Sequence, residues 1–139
     1  MAKVRDRLSE LVEAGPAVRK ERSNKAEFRL HMETGEQRIV RYSERRKEDG
    51  TIGYIGLEID LGSNLLGTIF KERGGESVCA VFTRERDKSL PFGKSLGDSI
   101  RENYSPELVQ AFADFLNQEG YSFARILWEE ALTKTSKKK

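Results

Sequence analysis

Between Ala26 and Arg84 apolar residues recur at every second position, in short runs separated by turn-forming residues. Phe28, Leu30 and Met32 alternate with Glu27, Arg29, His31 and Glu33, the signature of a half-buried strand with one wet face. Thr34-Gly35-Glu36 turns it back. Residues 38–44 form the return strand, with Val40 and Tyr42 on one face and Ile39 and Arg41 on the other. Asp49-Gly50 is a strong hairpin signal, because its turn needs positive φ. Residues 52–60 follow, with Ile55, Leu57 and Ile59 on one face and Gly56 on the other. Residues 65–72 are apolar on both faces and read as a central strand; 78–83, the fifth strand, is also apolar on both sides, and both belong to the core. Loops this short make sequential neighbours antiparallel.

The period changes to helical at both ends of the chain. Val4, Leu8, Leu11 and Val12 predict a helix over 2–14, stopped by Gly15-Pro16. Residues 17–25 show no period and read as a basic linker or arm. A charged loop over 84–94 leads to a short helix over 95–104. Ser105-Pro106-Glu107 then gives an N-cap, a first-turn proline and a first-turn acid. Leu108, Phe112, Phe115 and Leu116 form that helix's stripe, and Gly120 ends it. Ser122 can cap a last helix carrying Phe123, Ile126, Leu127 and Ala131, with Trp128 beside them; a strand over 121–128 is the competing reading. The fold class expected is α+β: a five-stranded antiparallel meander, open or curled into a partial barrel, with an N-terminal helix and two or three C-terminal helices. Its expected core is Phe28, Leu30, Ile55, Leu57, Ile59, Ile69, Phe70, Val81, Phe82, Phe112, Phe115 and Leu127.

Length fits one domain, here 1–132, followed by a basic tail over 133–139 that reads as disordered. Net charge is +2, but its distribution is uneven. Residues 16–47 hold ten Lys/Arg against five Asp/Glu, whereas 95–132 hold two against seven. The single cysteine, Cys79, excludes an intramolecular disulfide and fits a reducing, cytoplasmic setting. No apolar run approaches the ~20 residues of a membrane span.

Catalytic patterns fail on inspection, so no enzyme activity and no cofactor are expected. Gly93-Lys94-Ser95 ends like a phosphate-binding loop, but Lys88 stands where the first glycine belongs. Glu58 and Asp60 share a strand face without the further acid and lysine that metal-dependent nucleases use. One histidine, His31, and one cysteine exclude a zinc site. The Arg41-x-x-x-Arg45 spacing is similar to that of cyclic-dinucleotide-binding PilZ domains, but the companion motif is out of register at Asp60 to Gly67 and assigns no family.

The remaining chemistry is basic and aromatic. Arg29, Arg38, Arg41, Tyr42, Arg45 and Arg46 are the candidate site, on a sheet face able to hold phosphates and stack bases, which points to a nucleic-acid partner. Glu27, Glu33, Glu36 and Glu44 lie among them, so cross-strand ion pairs on a solvated face would use the same arginines. The alternative is a protein-interaction or assembly factor, binding a protein partner or a second copy of itself, with its interface on the acidic helices, Trp128 and the N-terminal helix.

Overall fold

The computed structural model describes residues 10–20, 23–62, 64–72, 75–83 and 95–133. The strands form an α+β fold as expected, but there are six rather than five. They are β1 (Val12–Lys20), β2 (Ser23–His31), β3 (Gln37–Arg46), β4 (Ile52–Gly62), β5 (Leu65–Glu72) and β6 (Val78–Thr83). They pair in sequence order, every neighbour antiparallel, in a sheet that is not closed. Three helices follow: α1 (Leu96–Asn103), α2 (Pro106–Gln118) and α3 (Ser122–Thr133).

The additional strand corrects two expectations. Glu10 and Leu11 are helical, but Val12 begins β1, so the predicted N-terminal helix does not reach Ala14; its first eight residues, 2–9, lie outside the described residues. Gly15-Pro16 is not a helix stop. The pairing of β1 with β2 slips between Ala14 and Ala17, so the dipeptide sits in a bulge on an edge strand, where a proline's missing N–H is tolerated. The segment read as a linker, 17–25, is the β1–β2 hairpin apart from 21–22, which are not described. The loop at 84–94 and the tail at 134–139 also lie outside the described residues, whereas Thr133 ends α3 rather than beginning a tail.

Strand register sorts the side chains onto two faces. One row runs Phe28, Val40, Ile59, Gly67 and Val81, and the next runs Ala26, Tyr42, Leu57, Ile69 and Cys79. These rows face the helices, and of their residues only those on β6 are more than marginally exposed. Phe28 is fully buried, with its ring centroid 5.4 Å from Phe112, 5.9 Å from Phe115 and 5.0 Å from Tyr121. Trp128 is also fully buried, which places it in the core rather than at an interface. Two of the expected core residues differ: Phe70 is half-buried on the opposite face, and Val81 is half-buried because β6 is an edge strand; the Phe82 side chain lies outside what is described.

The helix ends follow the sequence closely. Ser95 Oγ accepts from Asp98 N at 3.2 Å, and Ser105 Oγ accepts from Leu108 N at 3.2 Å. Gly120, at φ +85°, ends α2 while Tyr121 N donates to Leu116 O at 2.9 Å. The segment 121–128 is helical, but Ser122 is its first residue rather than its cap. The first turn closes from Arg125 N to the Tyr121 carbonyl at 2.9 Å.

Gly67 marks where α1 meets the sheet. A Cβ there would overlap Leu96 Cδ1 and lie 3.2 Å from Leu61 Cδ1. Gly67→Ala is therefore expected to cost about 1–2 kcal/mol by overpacking. Urea denaturation checks this; an unchanged midpoint would mean that α1 can lift from the sheet without loss.

Candidate functional site

The six residues expected to form a basic face do not form one. Arg29 Nη1 lies 3.3 Å from Glu13 Oε2, and His31 on the same strand reaches Glu13 Oε1 at 3.4 Å. Arg41 stands between two carboxylates, 3.0 Å from Glu27 and 3.5 Å from Glu58. Arg38 is largely buried. It donates to the carbonyls of Asn103 at 3.0 Å and Leu61 at 3.4 Å, bonds Glu36 at 3.2 Å, and lies 5.7 Å from the Tyr104 ring centroid. A cation at the last carbonyls of α1 is favoured by the helix dipole, so Arg38 ties β3 to that helix end. Tyr42 is 5% exposed on the helix-covered face and donates to Glu44 Oε1 at 3.0 Å. Arg46 bonds the same carboxylate at 2.9 Å and the Gly50 carbonyl at 2.9 Å.

Arg45 shares the face of Arg29 and Arg41 but has Ser23 and Tyr54, not glutamates, directly across from it. There the register sets Ser23, Arg45, Tyr54 and Glu72 in one row and Lys25, Ser43, Gly56 and Phe70 in the next. No described helix covers this face. The side chains of Arg45, Lys25 and Lys47 make no hydrogen bond or ion pair among the described residues. All three line a recess of about 590 Å³ at the end of the sheet, together with the Ser23, Ser43 and Tyr54 hydroxyl-bearing side chains. Asp49, two residues beyond Lys47, accepts from Thr51 Oγ1 at 2.7 Å and Thr51 N at 3.0 Å; these bonds, with a smaller pull from the Lys47 charge, hold it below the ordinary carboxylate range. Glu72 is the acid left in the recess beyond the paired Glu44.

Comparison with known protein families, curated proteins and solved structures finds no match. Geometry and charge therefore carry the functional reading.

A second recess, of about 480 Å³, adjoins the first and shares Lys25, Ser43 and Tyr54 with it. Pro16 and Val18 of the edge strand form part of its lining, and Glu27, Arg41 and Glu58 form another. Tyr54 reaches over Gly56: a Cβ at that position would lie 2.6 Å from the phenol oxygen. The Tyr54 ring also packs 5.9 Å from Phe70. Burial and then the charge of Glu72 push the Tyr54 phenol above its ordinary value, while Arg45 pulls the other way. The phenol therefore stays protonated at neutral pH and serves as a hydrogen-bond donor as well as an aromatic surface.

Sequence reasoning did not choose Lys25 or Lys47, and it missed Tyr54. The signal was present. Tyr54 alternates with the buried Ile55 and Leu57 and stands two residues from Gly56, a small residue that leaves room for an aromatic ring to lie flat. The strand-borne acids place no metal site. Asp60 Oδ1 accepts from Gly62 N at 2.9 Å, Glu58 pairs with Arg41, and among the described residues no three His, Cys, Asp or Glu converge. No described helix is long and apolar enough to cross a membrane.

Proposed function

We propose that the protein is a non-enzymatic nucleic-acid-binding module that takes a single strand on the uncovered face of its sheet. The observation that carries this reading is the convergence of Lys25, Arg45 and Lys47, whose side chains make no hydrogen bond or ion pair among the described residues, beside the half-buried Tyr54. Phosphate groups would sit among the cations, and the phenol ring offers a stacking surface that tolerates any base. The expected arginine set is narrowed to Arg45 as the phosphate-contacting member. Arg29 and Arg41 are neutralised, and Arg38, Tyr42 and Arg46 hold the fold. The lone cysteine supports a cytoplasmic setting for such a module.

Fluorescence anisotropy of a labelled oligonucleotide, titrated across salt concentrations, tests the proposal. Three phosphate contacts to a single strand give a slope of log K against log salt of about −2. Arg45→Glu should weaken binding by about tenfold or more, whereas Arg29→Ala should change it little. Absence of binding at low salt, or binding with no salt slope, would overturn the reading.

One observation favours the protein-interaction alternative. Phe123 and Ile126, one turn apart on α3, are 38% and 37% exposed. The buried Trp128 cannot join them. A partner or second copy seated there would be lost in Phe123→Asp, read by sedimentation or co-purification after nuclease treatment.

A further inference from the structure

The recess beside the cationic one carries an ordered row of donors and acceptors. On neighbouring strands stand Glu27 of β2, Arg41 of β3 and Glu58 of β4, directly opposite one another. The two carboxylates are not equivalent. Glu27 is the more buried, 27% exposed, and holds Arg41 at 3.0 Å; Glu58 is 44% exposed and only 3.5 Å from Arg41. Glu27 thus positions the guanidinium, and Glu58 retains acceptor capacity toward the recess. Arg41, 56% exposed, retains donors there as well, since five N–H groups serve two carboxylates.

A ligand edge matching Arg41 and Glu58 must present an acceptor beside two donors. Guanine alone among the common bases does so on one edge, with O6 next to N1–H and the N2 amino group. Adjacent strands lie ~4.8 Å apart, roughly the separation of O6 and N2 across that edge. We infer that this recess holds an unpaired guanine, with Arg41 donating to O6, Glu58 accepting from N1–H and N2–H, and Tyr54 serving as the stacking surface. This rests on the proposed single-strand binding, because phosphates at Lys25 and Arg45 bring the base to the shared wall of the two recesses. Recognition of an unpaired base on its Watson–Crick edge also excludes duplex as the preferred ligand.

The test compares two labelled single strands that differ only by inosine in place of guanine. Inosine keeps O6 and N1–H and lacks the N2 amino group. The wild-type protein should bind the guanine strand about tenfold more tightly. In Glu58→Gln the two strands should bind within about twofold of each other, with circular dichroism confirming the fold. Equal wild-type binding of both strands overturns the guanine assignment and leaves single-strand binding standing. Binding of neither strand at low salt overturns both. The wild-type comparison decides the assignment even where the variant fails to fold.

Discussion

Trp128→Ala is expected to lower folding stability by about 3–5 kcal/mol. The indole is fully buried where all three helices meet the sheet. Its centroid lies 4.7 Å from Phe112, edge-on, and 6.2 Å from Tyr104, stacked. Its Nε1 donates to the Val109 carbonyl at 3.2 Å, so truncation removes ring contacts and also strips a donor from α2. Against a typical total of about 5–15 kcal/mol, this is a large share. For a chain of this length it corresponds to a fall in Tm of roughly 10–20 °C. Because Trp128 is the single tryptophan, far-UV circular dichroism rather than intrinsic tryptophan fluorescence must follow unfolding in urea. Trp128→Phe should lose less, keeping the aromatic packing and giving up the hydrogen bond. A loss below about 1 kcal/mol in the alanine variant would be incompatible with an indole at the centre of the core.

The legibility of this chain follows from where burial imposes a period. β2, β3 and β4 each bury one face under helices, so Phe28, Leu30, Val40, Ile55, Leu57 and Ile59 alternate with polar residues and could be read directly. α2 could be read to its last residue because Ser105, Pro106 and Gly120 state both ends. β1 could not. From Glu13 to Arg19 its residues are half-buried or exposed, so nothing forces an alternation, and Val12 continued the helical spacing of Leu11 by coincidence. β6 misled in the opposite sense. Its apolar residues on both faces suggested a strand belonging to the core, yet it pairs only with β5 among the described residues, and Val78 is 52% exposed.

The site was legible as a composition and not as a surface. A sequence shows that arginines and glutamates alternate between strands, but strand register decides which of them touch. The register sets Arg41 against Glu27 and Glu58, whereas it sets Arg45 between Ser23 and Tyr54. Both arginines share one face of β3, and a shift of register along the strand would change which of them stands opposite a glutamate.

Glu44→Ala is expected to cost about 3 kcal/mol, because one buried carboxylate serves three donors. Glu44, 9% exposed, accepts from Tyr42 Oη at 3.0 Å, Asn24 Nδ2 at 3.0 Å and Arg46 Nε at 2.9 Å. Arg46 is 41% exposed and can turn to water, so most of the loss falls on the stranded Tyr42 hydroxyl. Tyr42→Phe alone should cost about 1 kcal/mol, and the double variant less than the sum of the two, since the hydroxyl is no longer there to be stranded. Strict additivity in urea denaturation would mean that the two groups are not coupled. The same pair gives a pH signature. Burial first, then the charge and hydrogen bond of Glu44, push the Tyr42 phenol far above its ordinary value of about 10. The folded chain then keeps a proton that the unfolded chain releases. Its contribution is complete below pH 10 and declines above it, by about 1.4 kcal/mol per pH unit. Tyr42→Phe should remove that part of the slope, and equal slopes in both proteins between pH 10 and 11 would refute it. A tyrosine bound this way belongs to the frame of the sheet, which is why base stacking falls to Tyr54 on the opposite face.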